Sequence, residues 1–119
     1  MYFVRSNWSD EARVNLARAL DVDIDLIGEQ VKRGISDLWV IDNGAAYMVT
    51  RREFDTFVVV AYEGIKLKET AAYVIRLAQA TGCREIRFHT NKPALIRMLR
   101  EYDPEPIEYV MRIKVTREH

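Results

Sequence analysis

Cysteine, histidine, proline and glycine are all scarce in this chain of 119 residues, and each shortage removes a class of function. Cys83 is the only cysteine, so neither an intrachain disulfide nor a cysteine-rich metal site can form, which suits a reducing compartment. His89 and His119 are the only histidines, too few for a histidine-based metal centre or triad, and no second histidine or obvious carboxylate partner is near His89 in sequence. The three prolines and five glycines form no linker or low-complexity tract. No apolar run exceeds Phe57 to Tyr62, far short of the ~18 residues of a membrane span, and the first residues carry no secretory apolar segment. These absences predict a cytoplasmic protein without membrane association, and no metal site.

An excess of charge of one sign is also missing. Eighteen basic residues balance eighteen acidic ones, so the basic surplus of a generic polyanion binder is absent and nucleic acid is disfavoured as a partner. Residues 1–60 carry seven basic and ten acidic groups, residues 61–119 eleven and eight, an asymmetry too mild for a charged tail. Arg87, Lys92, Arg97 and Arg100 lie close in sequence, but Glu101 and Asp103 dilute them, and a solvated helix face accounts for them.

What the chain does have is apolar periodicity from end to end, which predicts a single domain over 1–119. Tyr2 to Arg5 read as a strand. Ser9 is placed to cap a helix through Leu20, with Ala12, Leu16, Ala19 and Leu20 inward. Asp23 or Asp25 caps a second helix with Leu26, Ile27 and Val31 on its inner face and Gly34 beyond its end. Leu38 to Ile41, Asn43-Gly44 and Ala45 to Thr50 predict a hairpin, since Asn-Gly tolerates positive φ at both turn positions. Phe57 to Tyr62, rich in β-branched residues, reads as the sheet centre, buried on both faces, with Trp39 also in the core. A helix from about Lys68 to Thr81 shows Ala71, Val74, Ile75 and Ala78 at helical spacing and ends at Gly82. Arg84 to His89 form a strand. Asn91 then caps a helix with Leu95, Met98, Leu99 and Tyr102 on one stripe, and a last strand alternates from Ile107 to Val115. The fold class is α/β (α+β), a mixed β-sheet flanked by helices in the order β-α-α-β-β-β-α-β-α-β.

That order, a hairpin sheet followed by strand, helix, strand, helix and strand, resembles the GCN5-related N-acetyltransferase (GNAT) superfamily across nearly the whole chain. Leu38 to Ile41 with Asn43-Gly44, Met48 to Arg51 and Phe57 to Tyr62 look like the second to fourth GNAT strands. Ala78, Thr81-Gly82-Cys83 and Ile86 look like the third helix entering the fifth strand. More narrowly, the chain is similar to short GNAT-like proteins encoded by bacteriophages, some of them virion components. The resemblance implies acetyl-CoA as cofactor, bound between the fourth and fifth strands.

The residues that should hold it depart from the family pattern. Active members place an Arg/Gln-x-x-Gly-x-Gly/Ala signature after the fourth strand, where glycines let backbone N–H groups close on the cofactor pyrophosphate. Here Tyr62-Glu63-Gly64-Ile65-Lys66-Leu67-Lys68-Glu69-Thr70 supplies Gly64 alone. Lys66 and Lys68 attract phosphate, while Glu63 and Glu69 oppose it. Candidate cofactor contacts are therefore Tyr62, Gly64, Ile65, Lys66, Lys68 and Asn91. Asn91 and Ala94 match the opening of Asn-x-x-Ala-x-x-x-Tyr, whose tyrosine serves as general acid in the family; that position is Met98, which has no proton to give. Glu63, at the end of the central strand, is the candidate general base for an amine that would attack the thioester directly. Each also has a structural reading: Gly64 as a turn, Glu63 as a solvated carboxylate, Asn91 as an N-cap, Cys83 as a small buried side chain. The degenerate motifs predict a GNAT-fold protein without acetyltransferase chemistry, acting through a protein partner or as a homo-oligomer, cytoplasmic or, if phage-encoded, virion-associated. The alternative is an acetyl-CoA-dependent N-acetyltransferase with a divergent loop. A small binding module for a host protein or nucleic acid is the third reading.

Overall fold

In the computed structural model, residues 1–89, 93–107 and 110–115 are described. Their elements are β1 (Phe3–Ser6), α1 (Asp10–Leu20), α2 (Ile24–Lys32), β2 (Asp37–Ile41), β3 (Ala46–Glu53), β4 (Thr56–Gly64), α3 (Leu67–Ala80), β5 (Glu85–His89), α4 (Pro93–Met98), β6 (Glu105–Ile107) and β7 (Val110–Lys114). The strands hydrogen-bond in the order β1-β2-β3-β4-β5-β7-β6, the mixed sheet that the sequence predicts. Two compact units divide the chain: Met1–Arg51 with Val60–Lys66, and Arg52–Val59 with Leu67–His119.

In the first unit, Ser9 caps α1 as predicted, its Oγ accepting from the Ala12 N–H at 3.1 Å. Ala12, Leu16 and Leu20 are buried. Ala19, expected beside them, is exposed. On α2 the inward stripe is Ile24, Ile27 and Gly28, with Val31 half-buried. Leu26 was expected inward and is 59% exposed, since it falls about 200° from Ile24 and outside that stripe. Gly28 makes room for Trp8: a Cβ at this position would lie 2.7 Å from the indole. These helices share one core with Leu38, Tyr47, Val49 and Ala61.

The hairpin forms, with a different turn. Ile41 pairs with Ala46, so four residues connect the strands rather than Asn43-Gly44 alone. Asp42 is the cause: its N–H donates to the Tyr2 carbonyl at 2.8 Å and its Oδ1 accepts from the Tyr2 N–H at 2.7 Å, which draws it onto β1 and away from β3. Trp39 is half-buried rather than core, because its β1 neighbours belong to a four-residue edge strand. Its Nε1–H donates to Thr50 Oγ1 at 2.9 Å and Arg5 lies 5.4 Å over its ring.

In the second unit, Thr56 to Val59 of β4 run parallel to Glu85 to Phe88 of β5, with α3 as the crossover helix that a parallel pair requires. Phe57 and Val58 of β4 are buried and Val59 is only half-buried, and on the part of β4 that belongs to the first unit Ala61 is buried and Val60 half-buried, a correction to the strand buried on both faces. On α3, Val74 and Ala78 are buried and Ala71 and Ile75 half-buried. The β3–β4 turn is held by Arg52, which donates to the Phe54 carbonyl at 2.7 Å and the Thr81 carbonyl at 2.5 Å. The expected last strand is two, with β6 and β7 antiparallel to each other; Glu108 and Tyr109 lie outside the described residues. The α4 helix stops at Met98 and a tighter turn over Arg100–Tyr102 follows. Leu99 is buried, whereas Met98, expected on the same buried stripe, is 46% exposed.

Candidate functional site

The segment that carries the cofactor contacts expected from the sequence begins at the end of β4, and the structure brings its first half against the β2–β3 connection. Gly64 adopts φ +143, and a Cβ there would stand 2.5 Å from Ala46 Cβ and 2.6 Å from the Ala45 carbonyl oxygen. Both values are below any real Cβ contact, so this glycine is required by close backbone approach within the first unit. Tyr62 is half-buried, and its hydroxyl donates to the Ile65 carbonyl at 2.7 Å, tying the segment back onto its own strand. Ile65 is 68% exposed.

The charged candidates are each engaged by a partner. Lys66, at φ 68, places its ammonium 3.2 Å from Asp42 Oδ2. Asp42 is itself at φ 49, and the Tyr2 N–H, with Lys66 behind it, holds its carboxyl below the ordinary value of 3.8. Glu63 receives the Arg18 guanidinium at 3.3 Å, so a base role would compete with that contact. Beside this corner the Tyr47 hydroxyl donates to Glu11 Oε1 at 2.5 Å, and a Cβ on Gly44 would lie 3.3 Å from the same hydroxyl.

Tyr62, Glu63, Gly64, Ile65 and Lys66 thus form one corner with Asp42, Ala45, Ala46 and Arg18. Lys68 is exposed in the first turn of α3, and Asn91 lies outside the described residues. Met98 carries no ionisable group, and Tyr102 belongs to the turn after α4. Burial first, then Glu101, push the Tyr102 phenol up. Cys83 is buried, with Thr81 Oγ1 3.6 Å from its Sγ. Among the described residues no group of three or more His, Cys, Asp or Glu could hold a metal ion, and no helix is long and apolar enough to cross a membrane.

Sequence reasoning missed Asp42 and Arg18. Asp42 sits in Asp-Asn-Gly and reads as turn chemistry; Arg18 sits in the last turn of α1 and reads as a favourable helix-end charge. Neither carries a local signal of its partner, which lies 24 residues away for Asp42 and 45 for Arg18.

No protein-family model matches this chain, and no curated protein matches it. Solved structures do match. A Bacillus subtilis acetyltransferase in complex with CoA aligns with a TM-score of 0.66 at 15% identity, over 94% of this chain and 97% of that one. Aminoglycoside 6′-acetyltransferase type Ii aligns with a TM-score of 0.66 at 6% identity, over 100% of both chains. Tetrahymena GCN5 aligns with a TM-score of 0.62 at 9% identity, over 88% of this chain and 84% of that one. With this element order and these neighbours, the chain has the fold of the GNAT acetyltransferases.

Proposed function

We propose that the protein uses the GNAT fold without acetyl transfer, as an interaction or structural component that acts through a protein partner or a second copy of itself. The observation that carries this reading is the engagement of the loop by the protein's own groups. An acyl-CoA pyrophosphate needs free backbone N–H groups and cations at the end of β4. Here the one glycine is packed against Ala45 and Ala46, and Lys66 is paired with Asp42. Lys68, in the first turn of α3, is the only cation of the segment outside that corner, and Glu69 follows it. These residues do not fit an acyl-CoA pyrophosphate. The missing phenol at Met98 supports the same reading, because a departing thiolate would find no proton donor there. The narrower form of the reading, a component of a phage particle, rests on the pattern of the short chain alone.

A second reading has one observation in its favour. A neighbour aligned over 94% of this chain holds CoA, and an N-acetyltransferase with a divergent loop would share that ligand. Titration of the protein with acetyl-CoA and with CoA, followed by heat of binding and by melting temperature, separates the two. The proposal expects no heat and no melting shift at millimolar ligand. A ligand present at ~100 times its dissociation constant would add ~2.7 kcal/mol to the native state, and a shift of that size overturns the reading of a loop closed to the cofactor and calls for a screen of amine acceptors.

A further inference from the structure

Among the described residues Phe54 is the one apolar side chain on left-handed backbone, with φ 61, and at 96% it is also the most exposed large one. A bulky residue at positive φ is an outlier, and a phenyl ring left in water forgoes the burial that ordinarily stabilises it. At that exposure, contacts of the ring with its own chain offset neither cost. Strain of this kind persists only where the surroundings over-determine it. Here Arg52 donates to the Phe54 carbonyl at 2.7 Å and to the Thr81 carbonyl at 2.5 Å, and the Arg84 N–H donates to the Asp55 carbonyl at 2.7 Å. Both central residues of the β3–β4 turn are thus fixed while the ring stands in solvent. That is the form of a preorganised aromatic anchor, the residue type that dominates interface centres.

The same Arg52 guanidinium joins the turn to the end of α3, where Ala80, Thr81 and Gly82 are all exposed. The space beside Gly82 is open, since a Cβ there would meet only Arg52 Nη2, at 4.0 Å. An aromatic knob and a shelf of small residues therefore lie side by side on one end of the second unit. A two-fold axis makes such a layout complementary to itself, because the knob of each copy then rests on the shelf of the other. Charge suits the same operator: Arg52 and Arg84 stand at this end with Glu53 and Asp55, two of each sign, so unlike charges can face each other across the axis.

We propose that this end of the second unit is a self-association surface, on which Phe54 of one copy seats against Ala80, Thr81 and Gly82 of a second copy. The inference rests on the reading of a protein that acts through a partner or a second copy of itself, and it names the second copy. One ring on a three-residue shelf covers less than the ~800 Å² per partner of a standard interface, so the dimer is weak, with half-association on the order of 0.1 mM.

Sedimentation equilibrium from micromolar to millimolar protein tests this on wild type, Phe54→Asn and Ala80→Arg. Asparagine tolerates positive φ, so Phe54→Asn removes the ring and eases the backbone; Ala80→Arg fills the shelf with a charge that favours the end of a helix. Wild type should dimerise, both variants should associate at least tenfold more weakly, and the melting temperature of dilute Phe54→Asn should equal or exceed that of wild type. Wild type that stays monomeric at millimolar concentration overturns the proposal and leaves the ring to a different protein. A dimer that survives Phe54→Asn overturns its location, and one that survives Ala80→Arg overturns the shelf. A lower melting temperature for dilute Phe54→Asn shows that the ring packs on its own chain and overturns the anchor. Acetyl-CoA is titrated separately: wild type that binds it sinks the absence of acetyl transfer, while the dimer is still decided by sedimentation.

Discussion

Gly64→Ala separates a glycine kept for a cofactor from a glycine kept for packing. A cofactor glycine leaves open space that a ligand fills, so a methyl group there spares folding and blocks binding. The structure predicts the opposite. A Cβ at 64 would overlap Ala46 Cβ at 2.5 Å and the Ala45 carbonyl oxygen and Ala46 Cα at 2.6 Å. Two of these three atoms belong to backbone, so no side-chain rotation relieves the clash. Unfavourable backbone conformation at φ +143 contributes on the order of 1–3 kcal/mol, and forcing apart packed segments a further 1–3 kcal/mol. Together these come to roughly 2–6 kcal/mol of a native stability of about 5–15 kcal/mol. For a chain of this size the melting temperature should fall on the order of 10–20 °C, read by thermal melting and by the urea midpoint. Gly34→Ala is the control. Its φ is also positive, at +76, but nothing lies within 4 Å of a Cβ there, so the loss should be only about 1 kcal/mol. Equal, small losses at both positions would refute the packing argument and return Gly64 to the list of ligand contacts.

The Tyr47 phenol is pushed up to about 12, first by its hydrogen bond to Glu11 and then by burial. Because the folded value lies above the ordinary 10.0, its contribution to stability is complete below about pH 10 and is lost as pH rises through about 12. Of the six tyrosines one should ionise last in an absorbance titration and vanish in Tyr47→Phe; a titration unchanged by that substitution refutes the assignment. Val58→Asp should abolish cooperative melting, since Val58 is 4% exposed and a buried unpaired carboxylate costs several kcal/mol. A soluble, cooperatively melting variant would mean that β4 is placed wrongly. Gly28→Ala gains about 1 kcal/mol of helix propensity but drives a Cβ to 2.7 Å from the Trp8 indole. A net loss of stability with altered tryptophan emission is expected, and a net gain would show that the contact yields freely.

The regular elements were legible because each is written in its own segment. Ser9 caps α1 since an N-cap needs only the N–H groups of the next turn. The β4–α3–β5 unit follows from one apolar run, one stripe and Gly82. Errors came where a helical face was drawn one residue wide of the true stripe, at Ala19 and Leu26. They came also at α4, where Met98 and Leu99 are adjacent in sequence but only Leu99 is buried. Of the candidate site, the sequence showed Gly64 as the one glycine between Tyr62 and Thr70 and a methionine, with no proton to give, at position 98. It could not show that Lys66 has an anion already, because the carboxylate is 24 residues upstream in a tripeptide that has a sufficient local explanation as a turn.

The sequence by itself therefore determined the element types, the strand-helix-strand crossover and the presence of a single glycine between Tyr62 and Thr70, since periodicity, caps and spacing are properties of neighbouring residues. Tertiary structure alone decided what the residues of that segment do. Whether Gly64 faces open space or backbone, and whether Lys66 and Glu63 are free or paired, depends on which distant segments approach within a few ångströms. Those distances are set by the register of β1, β2 and β3, a collective result of packing that no local pattern encodes.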